Sequence, residues 1–291
     1  QHPHDLFMEL AAEYDRPLTT TLRWQIYAGP AGEPALGPAG FPHRLSAFPN
    51  PIAPISHHWL DATHITFGVV TAGVYGARWK AEASAFNGRE PDAERTDFDL
   101  AALDSVAGRF SLMPSERLVL QVSAGHLHEA EAGVGRQPRT DVNRATASAT
   151  YHRRVGEGGF LATTLAYGVN AELAIIPGGL LDETTHAVLL EASATRDDRH
   201  TWFGRLEIGG KGAHDLHAHE YITSIFTVGK LELGYVRHLR PWKGLLPGLG
   251  GVVMGSGVPR LLAPRYGGRI APGFGVFATV RPLSHPSTPG L

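Results

Sequence analysis

A chain of 291 residues is long enough for one large domain or two ordinary ones, and 35 Gly and 21 Pro among them favour turns and extended structure over long helices. The absence of Cys excludes a disulfide framework and thiolate metal sites. A formal net charge of -2, a pI near 6.8 and the lack of any Lys/Arg cluster interleaved with aromatics exclude nucleic acid as a partner.

No run approaches the roughly 18–20 continuous apolar residues that a membrane helix needs, which excludes a helical membrane protein. No basic and apolar leader precedes Gln1, so export has to be argued from the body of the chain.

From the N-terminus, His4 to Tyr14 places Leu6, Phe7, Leu10, Ala11 and Tyr14 near one helical face, with Asp5 and Glu9 early, and predicts a helix. Residues 1–16 are thus expected to form a helical segment, periplasmic or within a lumen, ahead of a barrel domain at 17–282 and a tail at 283–291. From Pro17 onward the period switches to two. Twelve strands are predicted, near 18–27, 63–75, 78–87, 104–113, 117–127, 143–153, 159–169, 186–196, 200–209, 222–237, 246–256 and 270–281. Most approach the roughly 9–11 residues with which a tilted strand crosses a bilayer.

One face of these segments is free of charge: Leu22, Trp24, Ile26; Ile65, Phe67, Val69; Trp79, Ala81, Ala83, Ala85; Val106, Phe110, Leu112; Leu118, Leu120, Val122; and so on to Phe274, Val276, Ala278, Val280. The other face carries Arg23, Arg78, Lys80, Glu82, Arg109, Gln121, Arg144, Glu191, Arg205, Glu207, Lys230 and Glu232, expected to line a pore. A charge facing lipid at mid-bilayer costs about 2–4 kcal/mol, which accounts for so clean an exclusion. LPGLGGVVMGS, the eleventh segment, is too Gly-rich for its faces to be assigned.

Connection lengths alternate. Long joins at Ala28 to Ala62, Gly88 to Leu103, His128 to Val142, Asn170 to Thr185, Gly210 to Tyr221 and Gly257 to Arg269 are separated by short ones, the asymmetry of an outer-membrane barrel with short periplasmic turns and long external loops. Tyr75, Trp79, Tyr151, Trp202, Tyr235 and Trp242 then fall at the periplasmic edge and Trp59, Tyr167, Tyr221 and Tyr266 at the other, as two aromatic belts.

Several of the 16 His residues gather on the external side. His57 and His58 in the first long loop, and His214, His217 and His219 in KGAHDLHAHE, are candidate ligands for Zn or Cu, since imidazoles at short spacing in extended loops can meet at one ion. The bland alternative is that His is frequent in polar loops. GPAGEPALGPAGFPHRLSAFPNPIAPISHHW, from Gly29 to Trp59, is too Pro-rich for helix or strand, yet Leu36, Phe41, Leu45, Phe48, Ile52 and Ile55 are too apolar for a solvated linker. It is expected to fold over or into the barrel mouth, as a constriction or ligand-binding lid or as a packed cap. Catalysis has little support: GxSxG and HExxH are absent, and Ser56, His57 and Asp61 are neighbours in a loop and no more.

QHPHDLFMEL, GPAGEPALGPAGFPHR and SHHWLDATHITFGVVTAG resemble a family of uncharacterised bacterial outer-membrane proteins often encoded beside heavy-metal efflux systems, a likeness running from Gln1 to about Pro282. The resemblance implies a Gram-negative outer-membrane barrel with a link to metal resistance and further strands before the position of Gln1; it carries no ligand or catalytic residues. LSHPSTPGL follows the last predicted strand, where many such barrels end on an aromatic residue.

The expectation is therefore an all-β, closed antiparallel transmembrane barrel of about twelve strands with one short N-terminal helix. Its partners are the lipid bilayer and small solutes or metal ions, and no cofactor is required. A narrow channel for small polar solutes or ions leads; a metal-binding surface protein, a purely structural barrel and an outer-membrane enzyme are the alternatives.

Overall fold

The structure is a computed structural model that describes residues 6–61, 66–92, 94–131, 139–176, 179–213, 215–216, 218–221 and 224–282. One antiparallel sheet of thirteen strands runs through it in chain order: β1 Leu10–Pro17, β2 Arg23–Ala31, β3 Val69–Tyr75, β4 Trp79–Phe86, β5 Ser105–Ser115, β6 Leu118–Glu131, β7 Thr140–Arg154, β8 Phe160–Ile176, β9 Gly179–Arg196, β10 His200–Gly212, β11 Ile225–His238, β12 Leu245–Gly257 and β13 Ile270–Pro282. The sheet curls into a barrel. Backbone and side chains of the single segment 35–61 bond to inward residues of β4, β6, β7, β8, β9, β10 and β11, and one segment can reach one face of so many consecutive strands only if that face is concave. Among the described residues β1 and β13 are each paired along one edge only. On β13, Phe274 and Val276 are accordingly 84% and 86% exposed, against about half for outward residues such as Val122 at 54% and Leu206 at 44%.

The two faces separate as the alternation predicts. Val106, Phe110, Leu120, Val122, Leu165, Val188, Leu190, Leu206, Ile208, Leu231 and Leu233 all point outward and are exposed, while the intervening Gln121, Thr146, Arg144, Glu191, Arg205, Glu207 and Glu232 are buried. The Gly-rich β12 resolves in the same way, with Leu249 and Val253 outward and Leu246 and Val252 inward. Part of the inner wall across β10 to β13 is apolar, however: Phe203, Val236 and Val252 are buried against Met254, Phe277 and the loop residue Ile52, on the same two strands, β10 and β11, that carry the inward Arg205, Glu207, Lys230 and Glu232.

Other expectations change. Leu10–Pro17 is a strand, not the end of an N-terminal helix, because LAAEYDRP also alternates and pairs with β2 through Tyr14↔Ile26 and Arg16↔Trp24. Asp15 and Arg23 are ion-paired across that ladder. The short α-helix, α1, is His57–Leu60. The first predicted strand moves to Arg23–Ala31, since Leu18 to Leu22 close a turn whose Leu18 amide donates to the Leu22 carbonyl at 2.9 Å. Asn170 to Thr185 is no loop: pairing of β8 with β9 continues from Asn170↔Thr185 out to Ile176↔Gly179. Trp59 is not in an outer belt. It is buried on α1, its indole donating to Thr185 Oγ1 at 2.8 Å. At the edge of the short turns, Trp202 and Tyr235 do sit together, ring centroids 5.7 Å apart, with His200 stacked on Trp202 at 5.8 Å.

Candidate functional site

The loop that joins β2 to β3 enters the barrel and is bonded to its inner wall. Prolines deny it a ladder of its own, so its backbone groups turn to the side chains around them. Ala35 N donates to Ser84 Oγ at 2.7 Å and Gly37 N to Ser123 Oγ at 2.8 Å, while Arg109 Nη1 donates to Gly37 O at 3.3 Å. Gly37 has φ of +77°, a left-handed conformation that favours glycine, and a Cβ there would run into the Leu60 carbonyl. The loop thus closes on itself where it is pinned. Leu36 seals this end by packing with Val69, Phe86, Ala107, Leu127 and Val142.

Farther along, Arg44 and Ser46 meet the charged belt. Arg44 Nε and Ser46 Oγ both donate to Glu191 Oε1, the latter at 2.8 Å, and Ser46 Oγ lies 2.7 Å from Thr164 Oγ1. The other oxygen of Glu191 accepts from Arg205 Nε at 3.0 Å, and Arg205 Nη1 continues to Glu232 Oε2 at 3.2 Å and to the Ile52 carbonyl at 2.7 Å. Asn50 Nδ2 donates to Glu232 at 2.6 Å, and Lys230 pairs with the same carboxylate at 2.6 Å. Ser56 gives its amide and its hydroxyl to Glu207, at 2.9 and 2.7 Å. These charges are nearly inaccessible, so each depends on its partner: a buried ion left unpaired costs several kcal/mol.

α1 then lays Leu60 against Ala166 and Leu189. Asn170 Nδ2 donates to the His58 carbonyl at 2.9 Å, and Arg144 caps the Asp61 carbonyl. The Asp61 side chain is only 3% exposed and its two carboxylate oxygens accept no hydrogen bond. Arg44 Nη1 is 3.8 Å away. Burial pushes the Asp61 carboxyl up to about 7, more than the nearby Arg44 and Arg144 pull it down. Glu33 behaves oppositely: burial would raise it, but the hydrogen bond from His43, 2.5 Å away, holds it below the usual carboxylate range, and the same contact raises His43.

Of the residues expected to line a pore, Lys80, Glu82, Arg109, Gln121, Arg144, Glu191, Arg205, Glu207, Lys230 and Glu232 face inward, buried or half-buried. Lys80 and Arg109 both hold Glu82, at 3.0 and 2.9 Å. Arg23 and Arg78 do not join them. Arg23 pairs with Asp15 at the barrel end, and Arg78 is exposed in the β3–β4 turn, donating to the Pro114 carbonyl at 3.3 Å. The partners that sequence reasoning missed are Glu33, Arg44, Ser46, Asn50, Ser56 and Asp61. Polar residues spaced through an apolar, Pro-rich loop were the available signal, because such a loop would otherwise have no reason to carry them.

Among the predicted metal ligands, His57 is buried with Nδ1 at the Pro54 carbonyl and its ring 4.1 Å from that of His58. His214 and His217 lie outside the described residues, as does the side chain of His219. The one group of three potential ligands within mutual reach among the described residues is Asp92, Asp97 and Asp99, between β4 and β5. Ser56 does not address His57 at all, since its hydroxyl is committed to Glu207.

No protein-family model matches the chain. No curated protein matches it either. Among solved structures, the chain is similar to OmpT (in-vitro folded), an outer membrane protein of Vibrio cholerae, with a TM-score of 0.48 and 9% identity over 85% of this chain and 78% of that one. An anion-selective porin from Comamonas acidovorans gives 0.48 and 14% over 84% and 78%. Outer-membrane expressed OmpT of Vibrio cholerae gives 0.45 and 8%, again over 84% and 78%. Likenesses at this level say nothing about what this chain carries.

Proposed function

We propose that this chain is an outer-membrane β-barrel forming a narrow channel for small polar solutes or ions, and that residues 29–61 are an inward-folded plug holding the channel closed at rest. The bilayer reading is supported by the outward array of exposed Val, Leu, Ile and Phe, completed by Ala on β4 and β7, which water would penalise and lipid would not. Polar and charged side chains on the concave face support an aqueous path, since buried charge is retained where partners or water compensate it. The observation that carries the plug is the row of bonds from one loop to Ser84, Ser123, Thr164, Glu191, Glu207 and Glu232, side chains spread over six strands.

The test uses the lack of native Cys. Ser46→Cys with Thr164→Cys replaces two hydroxyl oxygens 2.7 Å apart, close enough for a disulfide after small adjustment. Oxidised protein in a planar bilayer is expected to stay closed, and reduction to restore the occasional openings of the unlinked plug in the same membrane. Openings of the reduced protein that persist unchanged after oxidation would reject the plug.

A further inference from the structure

Among the described residues, the luminal network contains an acid, Asp61, that it holds by charge and not by hydrogen bonds. Glu191, Glu207 and Glu232 each accept hydrogen bonds from the plug. Asp61, equally buried, accepts none through its carboxylate. The groups facing it come from the plug itself, Arg44 and Glu33, and from the wall, Arg144 of β7 and Glu191 of β9, with His57 and His58 on the adjoining helix. Arg44 is engaged elsewhere, through Nε to Glu191 and through Nη1 to the Ala39 carbonyl at 2.9 Å, and Arg144 Nη1 is turned to the backbone oxygen of Asp61. An ionised carboxylate here would be desolvated with no hydrogen bond to it and its nearest cation, Arg44, 3.8 Å away, whereas a protonated one carries no such penalty.

We propose that Asp61 makes the seating of the plug proton-dependent, so that the loop is held more firmly, and the lumen more tightly shut, at acid than at neutral pH. The inference rests on the reading of residues 29–61 as a plug. Burial raises the Asp61 carboxyl to about 7 from an ordinary 3.8, so the seated plug binds a proton that the released, solvated loop gives up. A group raised in this way favours the seated state below its raised value, and the advantage declines as pH climbs towards it. His43 acts with the same sign: its contact with Glu33 raises it, and the attraction is lost as pH rises through the raised value.

Hydrogen exchange of protein refolded into lipid vesicles reads the seating without reference to conduction. Protection factors for peptides within 44–61, corrected for intrinsic rates, are expected to fall about tenfold between about pH 5.5 and about pH 7.5, while those of β8 and β9 stay level. Asp61→Asn, which fixes the neutral form, should keep the loop near its acid level of protection at the higher pH and leave only the shallower slope owed to His43. Level wild-type protection across that range overturns the proposal whatever the variant does; so does an Asp61→Asn protein with the full wild-type slope. A disulfide at positions 46 and 164 that leaves conductance unaltered would instead defeat the plug reading, so the two failures are distinct.

Discussion

Glu191→Gln tests whether buried charge seats the plug. Glu191 is the shared acceptor of Arg44 and Ser46 from the loop and of Arg205 from β10, and both guanidinium groups are buried with it. The amide keeps size and one acceptor oxygen but removes the negative charge, leaving Arg44 dependent on Asp61 at 3.8 Å and Arg205 on Glu232 at 3.2 Å. Breaking a buried pair from one side costs about 3–5 kcal/mol, and the retained acceptor places this change near about 3. Part of that loss falls on the wall pair whether the plug is seated or not. At about 1.4 kcal/mol per decade, the seated-to-released ratio is then expected to drop by up to about 150-fold. Hydrogen exchange over residues 44–61 would register the drop, and a planar bilayer would show more frequent openings. Barrel integrity is checked by exchange in β5 to β8, expected to be unaltered. Protection of the loop within threefold of the wild type, in a correctly folded barrel, would refute the reasoning, because the ion pairs would then contribute nothing to seating.

Val122→Arg, in the middle of the outward row on β6, is expected to lower unfolding stability in vesicles by about 2–4 kcal/mol, measured by denaturant titration; a cost below about 1 kcal/mol would argue against lipid contact. Gly37→Ala should loosen the plug by about 1–3 kcal/mol, since the left-handed backbone and the Leu60 carbonyl both resist a Cβ, and protection at residues 35–44 should fall accordingly while the strands stay protected. Gly234→Ala probes the apolar wall: Phe203 lies over that glycine, and displacing its ring should cost about 1–3 kcal/mol in barrel stability with little effect on exchange of the charged part of the loop.

Much of the barrel was legible because a strand writes its environment into every second residue. In β6, Leu120, Val122 and Ala124 against Gln121 and Ser123 admit one assignment of faces, and the exposure of the first set follows. Boundaries were harder. β8 and β9 extend far past the predicted ends because Asn170 to Thr185 pairs as a hairpin, and hydrogen bonds between distant residues leave no local mark in so mixed a stretch. At Leu10 to Tyr14 the apolar positions satisfy helical and extended periods together; the free edge of β2 decides for the strand. The first long loop showed its need for burial through Leu36, Ile52 and Ile55, and an inward fold was foreseeable from them. Which acid receives Arg44 was not.

By itself the sequence determined most of the strands, most of their faces and the long-short rhythm of most of their connections, since period, charge exclusion and Gly or Pro punctuation act over a few residues. Only the tertiary structure decided that Phe203, Val236 and Val252 form an apolar patch on a wall that also carries charge, that Trp59 is a buried anchor and not part of an interfacial belt, and that Glu191 joins Arg44 to Arg205. Those contacts depend on curvature, which brings residues about 150 positions apart within hydrogen-bonding distance, as with Ser56 and Glu207 at a separation of 151. Alternation specifies which side a residue faces, and the curling of the sheet around its own loop specifies what it meets there.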